Sequence, residues 1–380
     1  MEPTLPKPTK TGRALRLVAG NLAIFLVIVM TLNLLAAVIL EVQFAFRSVF
    51  FTTDDRVDLP NYEDKGWAKI HFDEFRDLRT EYTPYVVWSR KPYAGRATTV
   101  NAEGDRTHAE TSDRPTGVVR FFGGSSMWGS GVSDEGTIPA RFNALFPDYK
   151  VHNHGESGFY SRPELARLVN LVNRGEATDL VIFYDGGNDI GSQCRNDVGL
   201  NGSTRAGKVK RRVHPGSEIG NTLVGALREV VNGKFFKRHF LKTEEATMRC
   251  DDDPDFALEI AETLVNNWRI ANAISEIAGA KFLAVLQPLA SIGSPRVDHL
   301  GYEPTQPGNT TQRVYERVRE IVAADPSIDW FVDLSRVYDG DEYIFIDGIH
   351  ASENGHALVA ERLQAVAADL LARRASEGAH

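Results

Sequence analysis

In the stretch Val118-Val119-Arg120-Phe121-Phe122-Gly123-Gly124-Ser125-Ser126-Met127-Trp128-Gly129, a short apolar run ends in two glycines and a serine. A short apolar run bounded by glycine predicts a buried strand, and the glycines let the chain turn tightly at its carboxyl end. Ligands of open α/β folds bind at that edge of a sheet, so a serine placed there is exposed and backed by backbone amides. Taken singly, Gly-Gly-Ser is also a common loop, and Ser125 and Ser126 are equally readable as turn hydroxyls.

Outward from this stretch the chain alternates. Strands are predicted at 118–122, 150–153, 179–185, 281–286 and 328–334, and amphipathic helices near 137–146, 161–174, 257–278, 310–324 and 353–374. That alternation implies a parallel sheet with helices on both faces. Two further blocks follow successive strands, Asn153-His154-Gly155-Glu156-Ser157-Gly158 and Tyr184-Asp185-Gly186-Gly187-Asn188-Asp189, and so belong to the same rim as Ser125. A fourth, Asp347-Gly348-Ile349-His350, precedes the last helix.

In these four blocks the sequence resembles the SGNH (GDSL) hydrolase family, whose pattern is a strand followed by Gly-Asp-Ser, an Asn-x-x-x-x-Gly turn, a Gly-x-Asn-Asp loop and a late Asp-x-x-His. The likeness covers residues 118 to about 370, in the family's order, with room for one β-α unit between successive blocks. It implies a flavodoxin-like three-layer α/β/α domain and a serine esterase. Ser125 would be the nucleophile, His350 the base and Asp347 its partner, with the Ser125 and Gly158 amides and the Asn188 side chain as the oxyanion hole. A hydroxyl becomes a useful nucleophile only when an imidazole accepts its proton and a carboxylate orients that imidazole, so the residue types are coherent. Gly124 departs from the pattern, standing where the family has Asp. The interval from Asn188 to Asp347 is also long: between about 190 and 256 the alternation stops, which marks an insertion able to cover the site.

Residues 17–42 are almost continuously apolar, and Lys7, Lys10, Arg13 and Arg16 precede them. A bilayer core needs about 20 such residues as a helix, and the flanking charge puts the N-terminus in the cytoplasm. The expected organisation is a cytoplasmic segment 1–16, an uncleaved transmembrane signal anchor 17–42, a stalk with short accessory strands packed on the main domain at 43–117 and the hydrolase domain 118–374. A cleaved secretory signal is the competing reading; its apolar core is shorter. Either exports the rest, to a compartment where the only two cysteines, Cys194 and Cys250, are expected to pair across the insertion. The polar segment 101–115 predicts a loop or linker.

The composition excludes several classes. With 42% hydrophobic and 25% charged residues the chain can bury a core, and a net charge of −8 argues against nucleic-acid binding. One basic cluster, Arg205, Lys208, Lys210, Arg211, Arg212 and His214, suits a solvated loop or an anionic surface. Asp251, Asp252, Asp253 and Asp255 around Pro254 fit a helix N-cap better than a calcium loop. No cofactor and no metal are expected: His152, His154 and His356 read as surface or core histidines, since no His-Glu-x-x-His or paired-cysteine pattern occurs. An ester substrate is implied, with envelope glycan, lipid and small esters all open. Two rivals stand beside the esterase, an O-acyltransferase using the same triad and a non-catalytic carbohydrate-binding or scaffold domain.

Overall fold

The computed structural model describes residues 10–50, 54–213, 247–301 and 310–377. One helix, Lys10–Phe50, contains a stretch, Arg13–Ile39, long and apolar enough to cross a membrane; it belongs to a unit of its own. Lys7, His214 and the insertion's 214–246 lie outside the described residues, whereas Arg205, Lys208, Lys210, Arg211 and Arg212 of the basic cluster stand on a helix, Thr204–Val213, and not in the expected loop.

In the second unit five parallel strands form the sheet: β5 (Gly117–Gly123), β6 (Tyr149–Asn153), β7 (Leu180–Asp185), β8 (Lys281–Leu286) and β9 (Phe331–Asp333). Their order across the sheet is β6-β5-β7-β8-β9, which is the flavodoxin-like order. The chain moves from β5 to one neighbour and then returns to the other side for β7. Registers Phe121↔Asn153, Gly123↔Tyr184 and Asp185↔Leu286 bring the carboxyl ends of the central strands to one edge.

The strands read as unbroken apolar runs because both faces are covered. Phe122, Val181, Phe183, Phe282 and Ala284 pack under the helices Ser161–Asn173, Pro254–Ile277 and Thr310–Ala324. The alternate residues Val119, Phe121, Ile182, Tyr184, Leu283 and Val285 pack under Ile138–Leu145 and Glu353–Glu377. β9 is shorter than the predicted 328–334, since at the sheet edge it pairs only with Ala284–Leu286 of β8. Asp253 caps the Pro254–Ile277 helix by accepting from the Phe256 amide at 3.0 Å, with Pro254 at the first position, as the acidic run suggested.

From Asp54 onward the segment expected as a stalk with short packed strands lies on the α/β unit: short helical turns at Asp55–Asp58 and Pro60–Tyr62, a helix Gly66–Asp77 that the reading did not include, and the hairpins β1–β2 (Thr80–Thr83, Val87–Arg90) and β3–β4 (Tyr93–Ala94, Thr99–Val100). Tyr62 Oη donates to the Gly131 carbonyl at 2.7 Å, and the Gly131 amide donates to buried His71 at 2.9 Å. The 101–115 segment, expected as a loop or linker, is a loop held against the same unit. Arg106 is buried within it and donates to the carbonyls of Trp128, Val132 and Ala97 (3.2, 2.7 and 3.2 Å) and to Asp134 (2.9 Å). A single guanidinium thereby satisfies the turns that follow Ser125. Hydropathy hid this, because a charged residue in a polar stretch gives no local sign of burial.

Candidate active site

Ser125 opens a single helical turn, Ser125–Trp128, at the end of β5, and Asp347 and His350 share the loop before the Glu353–Glu377 helix. The structure brings all three together. His350 Nε2 lies 2.7 Å from Ser125 Oγ, and His350 Nδ1 lies 2.7 and 2.9 Å from the two oxygens of Asp347. Asp347 Oδ1 also accepts the Ile349 and His350 amides at 2.9 and 2.8 Å, so the loop folds around its own carboxylate. Burial alone would raise the Asp347 pKa, but His350 and these amides outweigh it and hold the carboxyl well below the usual range. An ionised Asp347 fixes the proton of neutral His350 on Nδ1, leaving the Nε2 lone pair facing the Ser125 hydroxyl.

Gly158 and Asn188 come from the two other blocks. Gly158 has φ +80°, a conformation that glycine adopts without strain. Among the described residues, no acceptor engages the Ser125 or Gly158 amide. Asn188 Nδ2 donates to the Phe159 carbonyl at 2.6 Å, which leaves its second hydrogen free to point elsewhere. That nitrogen is pressed against Gly124, where an added Cβ would come within 2.2 Å of it. Ser126, the neighbouring hydroxyl, donates instead to the Ile349 carbonyl at 3.3 Å and makes no contact with an imidazole.

Residues that the sequence blocks did not mark surround this set. Arg56 Nη1 donates to Asp347 Oδ2 at 2.8 Å. Ser157, beside Gly158, is gripped by Trp88 Nε1 on its carbonyl (3.3 Å), by Arg90 on its hydroxyl (2.7 Å) and by Arg205 on the same carbonyl. Arg90 also pairs with buried Glu156 at 3.1 Å. No local pattern announces these contacts, which link positions far apart in sequence. A cavity of about 310 Å³ borders His350, lined by Gly187, Leu289, Ser291, Thr311 and Ile349.

Cys194 and Cys250 are joined, with Cα atoms 5.3 Å apart. Among the described residues one group, Asp105, His152 and His154, brings metal-type donor atoms within 4.8 Å of one another. Its charge is already balanced. Asp105 accepts from Arg167 and from His154 Nδ1 (2.8 Å), and Arg120 donates to His154 Nε2 at 3.0 Å, so two guanidiniums occupy the place a cation would need. His356 is a core residue, held by the Gly136 carbonyl at 3.0 Å.

No curated protein matches the sequence. Among solved structures it is similar to a carbohydrate acetylesterase, Est24, from Sinorhizobium meliloti (14% identity over 67% of this chain and 100% of that one, TM-score 0.39). It is also similar to an aryl esterase from M. smegmatis (15%, 67% and 100%, 0.38) and a putative acylhydrolase from Bacteroides fragilis (14%, 68% and 91%, 0.37). Likenesses this distant carry no argument about substrate. Residues 119–363, well over half of the chain, match the GDSL-like lipase/acylhydrolase family, and the protein belongs to that family of ester-hydrolysing enzymes.

Proposed function

We propose that the protein is a membrane-anchored, extracytoplasmic serine esterase that cleaves a carboxylic ester through an acyl-Ser125 intermediate. The observation that carries this reading is the unbroken relay Ser125 Oγ, His350 and Asp347, with contacts of 2.7 Å on both sides of the imidazole. Ser125 Oγ attacks the ester carbonyl as His350 Nε2 takes its proton, and the ionised Asp347 stabilises the imidazolium. The oxyanion then receives the Ser125 and Gly158 amides and the free Asn188 hydrogen. His350 returns the proton to the departing alcohol, and water, activated the same way, releases the acid.

The cavity of about 310 Å³ beside His350 gives an ester substrate a place against the imidazole. The apolar helix and the Cys194–Cys250 bridge both support export, since disulfides persist in oxidising compartments.

The test is labelling by a fluorophosphonate together with turnover of p-nitrophenyl acetate. Ser125→Ala is expected to abolish labelling and cut turnover by about 10⁴-fold, and Asn188→Ala to cut it by about 10²-fold while still labelling slowly. Ser126→Ala is expected to behave as wild type; an inactive Ser126→Ala would overturn the nucleophile assignment.

A further inference from the structure

We propose that Arg56, from the segment that follows the apolar helix, is a positioning residue for the Asp347–His350 pair. The inference rests on the reading of Ser125, His350 and Asp347 as the reacting set. Asp347 holds its two oxygens in different ways. Oδ1 is tied to its own loop by the Ile349 and His350 amides and lies 2.9 Å from His350 Nδ1, whereas Oδ2, 2.7 Å from Nδ1, has Arg56 Nη1 as its other partner. Arg56 is the one contact to this carboxylate, among the described residues, that comes from outside the 347–350 loop.

The guanidinium is itself immobilised. Its Nε and Nη2 donate to the two oxygens of Asp54 at 2.9 Å each, its backbone amide donates to Asp54 Oδ1 at 3.1 Å, and its face lies 4.8 Å over the Phe72 ring. One edge of the rigid fork, Nε and Nη2, is therefore spent on Asp54, and the remaining Nη1 is aimed at Asp347. Only a planar group with several fixed donors can bridge two carboxylates in this way; the point charge of a lysine cannot do so with the same geometry.

Charge balance explains why the bridge does not undo the triad. A lone cation at 2.8 Å would compete with the imidazolium for Asp347 during catalysis. Asp54 neutralises the guanidinium, so Arg56 fixes the direction of Oδ2 while leaving the carboxylate's charge to His350. Asp54, Arg56, Asp347, His350 and Ser125 then form one continuous hydrogen-bonded line. It begins in the segment that leads away from the membrane-type helix and ends at the nucleophile.

The experiment uses the full-length protein in detergent with p-nitrophenyl acetate. Arg56→Ala is expected to lower kcat about 10- to 100-fold with KM changed less than about twofold, the pattern of a misdirected reacting group. Arg56→Lys is expected to recover only part of the loss. In an Asp347→Asn background, Arg56→Ala is expected to add no further loss, because the two residues act as one unit. Wild-type kcat in Arg56→Ala, or an undiminished loss in the Asp347→Asn background, would overturn the proposal. If the alanine variant fails to fold, Arg56→Gln, which keeps bulk and a donor but not the fork, is read by the same criteria. Should Ser125→Ala still turn over the ester, the reading of the reacting set fails and the role of Arg56 with it; an inert Ser125→Ala beside a fully active Arg56→Ala sinks the role of Arg56 alone.

Discussion

Gly124 stands where the family pattern has Asp, and a side chain added there would meet Asn188. A Cβ at position 124 would lie 2.2 Å from Asn188 Nδ2 and 3.1 Å from the Phe159 carbonyl. The Asn188 amide, proposed above as an oxyanion donor, occupies the space beside Gly124. Restoring the family residue is thus expected to harm this enzyme. Gly124→Asp and Gly124→Ala should each lower kcat/KM by about 10-fold or more, since displacing a catalytic donor by an ångström is costly. Stability should also fall by about 1–3 kcal/mol from overpacking. Ester turnover beside a thermal melt checks both, and wild-type kcat/KM in Gly124→Asp would show that Asn188 has room to move without loss.

At the scale of elements, the helix Ser161–Asn173, the end of β7 and the Gly187–Gln193 helix, which carries Asn188, press three buried carboxyls together: Glu164, Asp185 and Asp189. Asp185 accepts from Trp268 Nε1 at 2.7 Å and Asp189 from Ser161 Oγ at 2.6 Å, but among the described residues no cation pairs with any of the three. Burial and mutual repulsion push Glu164 well up and Asp185 up to about 8; burial pushes Asp189 up to about 6. A carboxyl whose pKa is raised by folding stabilises the fold fully below its unfolded value and loses that contribution as pH climbs through the folded one. The melting temperature is therefore expected to fall by several degrees between about pH 5 and about pH 9. Glu164→Gln, which keeps the shape and removes one charge, should flatten that fall. A wild-type melting temperature that rises over this range would contradict the assignment. On the neighbouring element, Trp88 of β2 is buried against Phe159, with ring centroids 5.1 Å apart. Trp88→Ala should cost about 3–5 kcal/mol by denaturant titration.

For the whole molecule, the expected behaviour is that of an exported, anchored enzyme. Full-length protein should stay in the membrane fraction after a carbonate wash, and a reporter fused after His380 should be extracytoplasmic. A soluble form beginning near residue 40 would instead indicate a cleaved signal. The Cys194–Cys250 bridge, with a sequence separation of 56, should add up to about 4 kcal/mol by restricting the unfolded chain. Non-reducing mass spectrometry of protein from the envelope should find no free thiol, and two alkylatable thiols would refute both the bridge and its contribution.

The sequence alone was enough for what depends on local chemistry and period. Apolar runs alternating with amphipathic segments marked β5 to β9 and their helices, because a doubly covered parallel strand must be apolar throughout. Short blocks, three at strand ends and one before the last helix, marked Ser125, Gly158, Asn188, Asp347 and His350 as the proposed site, because their residue types stand within a few positions of one another in the sequence. Tertiary structure decided whatever joins distant positions. Arg56 reaches Asp347, Trp88 and Arg205 hold Ser157, Arg106 fills the turns after Ser125, and Asn188 excludes a side chain at 124. An arginine in a polar stretch looks solvated until the fold brings carbonyls and carboxylates around it, and a glycine looks permissive until a neighbour occupies its missing Cβ. The partners of the accessory segment 54–107 escaped the sequence for that reason: its side chains meet distant residues, and no periodicity within it records them.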